Sequence, residues 1–185
     1  LELWQPGRYQ VLMAGGARAQ FEIASLPEPL EVGGPWAVAF APGWGAPEHA
    51  GFDTLVSWPE HPDPGIRHYS GTATYGTSFA VPPEMLAPDR RIYLDLGAVE
   101  VMARPSLNGR DLGLLWKPPY RVDVTDCLNA GQNALTVRVV NLWPNRMIGD
   151  EQLPEDSDRT EHGTLRNWPQ WLDAGKPSPT GRLTF

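Results

Sequence analysis

An antiparallel, all-β sandwich is the fold class that this 185-residue sequence predicts. Three observations lead there. Proline and glycine number 20 and 19, about a fifth of the chain, and proline is poorly tolerated inside helices because it lacks the amide donor and clashes with the preceding turn. Short apolar–polar alternations recur with turn residues between them, the pattern of strands folded back on one another. Strand–helix–strand alternation is missing, which argues against a parallel sheet.

The elements follow in order. Residues 21–24 read as a short edge strand. Trp36, Val38 and Phe40 share one face of a strand over 36–40. Residues 71–81 are rich in Thr, Tyr and Phe, which suit a pleated surface, with Ala73, Tyr75, Thr77, Phe79 and Val81 on one side. A short turn at 82–86 is the one helical candidate. Ile92, Leu94 and Leu96 face inward from a strand over 91–96. A strand over 99–107 runs into Asn108-Gly109, a pair suited to the positive φ angles of a tight hairpin, and 111–115 is the return strand. Residues 120–124 form another short strand and 129–133 a turn. The strand over 134–140 puts Leu135, Val137 and Val139 on one side. Residues 181–185 read as a closing strand.

The ends differ from the middle. Residues 1–33, with Gly-Gly pairs and Pro27 and Pro29, read as a linker or the tail of a preceding module, leaving 34–185 as the sandwich. Residues 141–180 show no strand periodicity, and so long a stretch within a compact domain is usually functional or disordered. Trp143, Trp168 and Trp171 argue against disorder, which is poor in aromatics. Core packing is the default expectation for each of the 8 tryptophans.

Composition excludes several classes. The length suits one domain with a real core. No apolar run approaches the roughly 20 residues that span a bilayer. A net charge of -7 disfavours nucleic acid and anionic membrane as partners. The single Cys127 cannot pair internally, and a buried thiol is its default reading. The chain opens at Leu1 without Met, which reads as a mature fragment with any export signal upstream. The four His are scattered, and no nucleophile elbow, His-Glu-x-x-His or phosphate loop is present. Glycosidases set two carboxylates across the scissile bond, and nothing in the sequence selects such a pair.

A series of motifs is familiar. It runs His68-Tyr69-Ser70-Gly71-Thr72-Ala73-Thr74-Tyr75, Tyr93-Leu94-Asp95-Leu96-Gly97, Leu107-Asn108-Gly109-Arg110-Asp111-Leu112-Gly113 and Trp116-Lys117-Pro118-Pro119-Tyr120. It ends Val139-Val140-Asn141-Leu142-Trp143-Pro144-Asn145-Arg146, then Ile148-Gly149-Asp150-Glu151-Gln152-Leu153-Pro154. The order resembles the sugar-binding β-sandwich of family 2 glycoside hydrolases. The last stretch looks more like the C-terminal sandwich of family 106, the α-L-rhamnosidases. The resemblance implies a galactose-binding-like jelly roll, secreted or periplasmic, whose catalytic carboxylates lie in a separate barrel domain of the parent chain. No catalytic residue is carried over.

Sugar sites pair an aromatic face with planar hydrogen-bonding groups. Trp143, Asn145, Arg146, Asp150, Glu151 and Gln152 supply every piece in the stretch after the last long strand. The structural alternative is that Arg146 pairs with Asp150 or Glu151 and pins the loop; a third is that the loop reaches into the active site of the parent's catalytic domain. Trp116, Lys117 and Tyr120, stiffened by Pro118-Pro119, form a second candidate, with a packed Trp under a snorkelling Lys as the alternative. Trp58, His68 and Tyr69 form a third group, read as core. Six acids between Asp150 and Glu161 could hold one structural calcium ion, although a solvated acidic loop is the simpler reading.

Three functions remain open. The chain is a carbohydrate-binding accessory module for rhamnose- or galactose-containing glycans, a docking domain that braces the catalytic barrel, or an enzyme alone. The second predicts a large apolar patch.

Overall fold

The computed structural model describes residues 3–184 and divides into two units, Leu1–Val32 and Gly33–Phe185. The first holds an antiparallel hairpin, β1 (Gly7–Leu12) with β2 (Arg18–Ile23). Its alternation is clean. Tyr9 lies opposite Phe21 with the rings stacked 5.7 Å apart, while on the other face Arg8 Nε meets Glu22 Oε2 at 3.2 Å. The strand expected at 21–24 is thus the end of a longer one that pairs with β1.

The second unit runs β3 (Trp36–Phe40), β4 (His49–Phe52), α1 (Pro64–Arg67), β5 (Thr72–Val81), β6 (Tyr93–Asp95), β7 (Met102–Leu107), β8 (Arg110–Asp111), β9 (Arg121–Asp123), β10 (Gly131–Val140), α2 (Pro144–Asp150) and α3 (Gln170–Asp173). Six strands form one antiparallel sheet in the order β4-β3-β5-β10-β7-β8, and β6 pairs with β9 in a second. The all-β antiparallel sandwich expected from the sequence is what the structure shows.

One face of the large sheet makes the core. Trp36, Val38 and Phe40 from β3, Ala73, Tyr75 and Val81 from β5, Leu135 and Val137 from β10, and Ala103 and Leu107 from β7 are all buried. The residues expected to share the inner face of the strands over 71–81 and 134–140 do so. An aromatic cluster closes one end: Phe40 lies 4.9 Å from Tyr69 and 5.8 Å from Trp58, and Trp58 lies 5.3 Å from Tyr69, all edge-on. Edge-on pairs match the positive ring edge to the negative face and add roughly 0.5–1.5 kcal/mol each beyond burial. Their polar tips are satisfied. Trp58 Nε1 donates to Tyr75 Oη, and Tyr69 Oη accepts from Ala41 N at 3.1 Å and donates to Thr72 O at 2.8 Å.

Several expectations change. β4 was not foreseen because His-Ala-Gly-Phe has weak strand propensity; it forms because Phe52 opposite Trp36 is buried. The return strand at 111–115 shrinks to Arg110–Asp111 plus a lone bridge from Leu115 to Ala103, since Gly113 at φ +89° turns the chain between them. The strands over 91–96, 99–107 and 120–124 shorten to β6, β7 and β9. The 82–86 turn is a short 3-10 helix, Pro83–Leu86. Residues 181–184 are not a strand: Leu183 and Thr184 give their amide protons to the Asp150 carboxylate instead of a neighbouring strand. Phe185 lies outside the described residues.

The Asn108-Gly109 turn forms as expected, with φ of 52° and 81°. Asn108 also docks sideways on β10. Its Nδ2 donates to Asn133 Oδ1 and Cys127 O at 2.8 Å each, and its Oδ1 accepts from Ala134 N at 2.9 Å. Asn133, 2% exposed, accepts a second bond from Asn129 N at 2.8 Å and donates to Asn129 O and Gly131 O. All four of its bonding positions are used.

Asn133→Ala strands these partners at the core edge and is expected to lower unfolding free energy by about 2–3 kcal/mol, read from urea melts at unchanged m. Across the same hairpin Arg104 pairs with Asp111. The hydrogen bond from Arg104, then that from Gly113 N, hold the Asp111 carboxyl down at about 2. A lowered folded-state pKa means the contact persists below the ordinary carboxylate range and is lost as pH falls through about 2. A carboxyl titration by NMR should show this, with Arg104→Ala returning Asp111 toward its ordinary value.

Candidate functional site

α2 begins after a three-residue link from β10, with Pro144 in its first turn, where a missing amide costs nothing and a fixed φ helps. Successive residues turn by about 100°, so Asn145, Arg146, Gly149 and Asp150 share one side while Trp143, Pro144, Met147, Ile148 and Glu151 share the other. The first set faces inward: Arg146, Gly149 and Asp150 are buried. The second set is exposed. The polarity of the helix is inverted, with its charges inside and its large apolar side chains outside.

The inner side is tied to the rest of the domain by side-chain hydrogen bonds. Asn141 Nδ2 donates to Tyr69 O at 2.8 Å, and Asn141 Oδ1 accepts from Gly71 N at 2.8 Å. Asn145 Nδ2 donates to Arg67 O at 2.7 Å and Tyr69 O at 3.0 Å. Ser70 Oγ donates to Leu142 O and accepts from Arg146 N, both at 2.8 Å. These side chains stitch the segment after α1 to the start of α2. Gly149 permits the approach, since a Cβ there would sit 2.5 Å from both Arg146 Nη2 and His68 Cβ.

Arg146 and Asp150 form a buried pair, Nη2 to Oδ1 at 2.9 Å, with side chains 9% and 2% exposed. Asp150 Oδ2 accepts from Leu183 N at 3.1 Å, Thr184 N at 2.7 Å and Thr184 Oγ1 at 2.7 Å. Asp150 Oδ1 accepts no hydrogen bond and Arg146 Nε has no partner, so the pair meets charge to charge rather than as a fork. The pinning alternative therefore describes these two residues.

The remaining candidate residues disperse. Glu151 and Gln152 point to solvent. Trp143 is 56% exposed and meets Trp44 edge-on at 5.4 Å. Trp116 is 61% exposed with Lys117 Nζ 5.3 Å from its ring centre. Tyr120 points the other way: it is buried, and its hydroxyl donates to Val101 O at 2.9 Å. Trp58 and Tyr69 belong to the core, and His68 caps α1.

In the acidic run, Asp156 takes hydrogen bonds from the hydroxyls of Ser157, Ser178 and Thr180. Burial pushes its carboxyl up, but those bonds and the Arg182 charge outweigh it and hold the group below the usual range. Arg182 donates to Pro154 O at 2.9 Å and Leu153 O at 2.8 Å. Among the described residues, no group of three or more His, Cys, Asp or Glu could hold a metal, and no helix is long and apolar enough to cross a membrane.

Sequence reasoning missed α2 and its outward apolar face. Pro144, with Trp143, Met147 and Ile148 at helical spacing, was the available signal. The default expectation of core tryptophans fails for Trp116, Trp143 and Trp168, all more than half exposed, whereas Trp36 and Trp58 are core.

Comparison with known proteins places this architecture inside larger ones. No family model matches the chain. Over 180 residues it is 39% identical to a "Putative beta-glucuronidase" from Formosa agariphila, covering 97% of this chain and 15% of that protein. The solved rhamnosidase from Novosphingobium sp. PP1Y superposes at a TM-score of 0.63 with 30% identity, over 100% of this chain and 15% of that one. A beta-glucuronidase from an uncultured Clostridium sp. superposes at 0.51 with 25% identity, over 63% of this chain and 24% of that one. The class so defined is a β-sandwich associated with glycoside hydrolases. Within it, this chain spans about 15% of the length of the curated relative it matches.

Asp150→Asn leaves Arg146 as a buried charge without a counterion and is expected to cost about 3–5 kcal/mol. Glu151→Gln, one residue on and exposed, should stay within about 0.5 kcal/mol. Paired denaturant melts separate the two.

Proposed function

We propose that the chain is a non-catalytic domain of an α-L-rhamnosidase-type glycoside hydrolase, and that it braces the catalytic domain of its parent rather than gripping sugar by itself. The carrying observation is the fate of the 143–152 segment. Asn145, Arg146 and Asp150, the groups best suited to hold hydroxyls, are turned inward and spent on backbone partners and on each other. What α2 turns outward is mainly apolar, Trp143, Met147 and Ile148, with Glu151 and Gln152 following at its end. The rhamnosidase assignment is supported by the superposition over the whole chain, whereas the Clostridium glucuronidase covers 63% of it; the sequence identity to the Formosa protein supports the glucuronidase alternative. The proposal includes a secreted or periplasmic parent, as the family resemblance implies, with a separate domain that supplies the two carboxylates.

A second reading rests on Trp116. An exposed indole with a cation beside it can stack on a pyranose face, which would make the domain a weak carbohydrate-binding module for rhamnose- or galactose-containing glycans.

Calorimetric titration of the 185-residue chain with L-rhamnose, D-glucuronic acid and rhamnose-rich oligosaccharides, with and without calcium, distinguishes the two. The bracing role predicts no saturable heat in any arm and no hydrolysis of aryl rhamnosides or glucuronides. Saturable heat abolished by Trp116→Ala would replace it with the binding module.

A further inference from the structure

We propose that the outward face of α2, together with Leu142 before it and Trp44 beside it, is the seat of another domain of the same polypeptide, one that presents an apolar surface there. This rests on the reading of the chain as one domain of a longer glycosidase, and it names the surface and the partner that the reading leaves open.

The polarity of α2 carries the argument. A surface helix normally turns its apolar stripe to the core and its charges to water. Here Leu142, Trp143, Met147 and Ile148 are each more than half exposed, while Arg146 and Asp150 are buried. The inversion does not arise from a loose helix, because Asn145, Arg146 N, Gly149 and Asp150 fix its rotation from within. Turning the apolar side inward would break all of those contacts. Trp143 and Met147 lie one turn apart with Ile148 beside them on the same side, Leu142 precedes them, and Trp44 meets Trp143 edge-on at 5.4 Å. A cluster of a tryptophan, a methionine and two branched aliphatics has the composition of an interface core, where aromatic residues and methionine are enriched.

The occupant follows from chemistry and from length. Sugars need several hydrogen-bonding groups, and Glu151 is the one charged side chain on this face. An anionic bilayer is repelled by a chain of net charge -7. The matched region is 15% of the Formosa protein and 15% of the Novosphingobium rhamnosidase, so most of each relative lies outside it. A covalently tethered neighbour has a high effective concentration, and a modest apolar patch suffices to hold it.

Hydrogen exchange of residues 142–151 is to be compared between the isolated chain and the full-length polypeptide, together with Met147→Glu/Ile148→Glu in both. The expected result has three parts. The segment exchanges more slowly in the full-length protein. The double variant removes that protection and splits one cooperative thermal transition into two. In the isolated chain it abolishes binding of a hydrophobic dye with no shift in the unfolding temperature. Equal exchange in both proteins, or a full-length variant that still melts in one step, overturns the proposal. A full-length dimer that the variant dissociates, with domain cooperativity unchanged, also overturns it in favour of a second copy. Full-length protein that hydrolyses no aryl glycoside would refute the underlying reading while leaving the exchange result to stand or fall alone.

Discussion

Between the end of α1 and the start of β5, side chains from the chain's other half take up backbone groups of residues 67–71. Asn141 and Asn145 reach Arg67 O, Tyr69 O and Gly71 N, and Ser70 returns the contact to Leu142 O and Arg146 N. A buried peptide group left unpaired would be costly, so this stitching determines where the chain goes after β10. It fixes the rotation of α2, and that rotation decides which side chains are hidden and which are offered. The same segment carries Tyr69, whose ring sits against Phe40 and Trp58, so the polar stitch and the aromatic core position each other.

The buried charges follow from the same constraint. Once α2 is held with Arg146 inward, the guanidinium needs a counterion and Asp150 one turn later provides it. Desolvating two charges is expensive, and their attraction offsets that cost only when the other lone pairs are also bonded. Asp150 Oδ2 meets this condition with three donors from residues 183 and 184. Arg146 Nε does not, having no partner. The pair is therefore better read as fixing the C-terminal segment in place than as a source of stability, and it leaves these two groups unavailable to a ligand.

Much of the sandwich was legible in the sequence, and the reasons are local. β5 and β10 are long and alternate strictly, so their buried faces could be read residue by residue. Asn108-Gly109 announced its own turn. β4 was invisible because its four residues have little strand propensity and depend on Phe52 meeting Trp36, a contact that no local pattern encodes. The 181–184 segment resembles a strand in composition, but its amides are captured by a carboxylate more than thirty positions earlier. The candidate site was legible in its parts and not in its orientation. Sequence brought Trp143, Asn145, Arg146 and Asp150 into one segment, and the structural alternative for Arg146 was visible there. Which side of the helix each would take depends on Ser70 and Asn141, outside any window of helical periodicity.

The clamp on Asp150 also has a consequence for synthesis. Leu183 and Thr184, which complete its anion site, are translated 33 and 34 residues after it. At ordinary elongation rates of 5–20 residues per second, that interval is roughly 2–7 s. During it a nascent chain holds Arg146 and Asp150 with their shell incomplete and the apolar side of α2 uncovered. The partners that set the rotation of α2 are made before the helix is complete, whereas the Asp150 clamp closes only after residues 183 and 184. Every strand of the sheet is therefore made before the anion site of Asp150 can be completed.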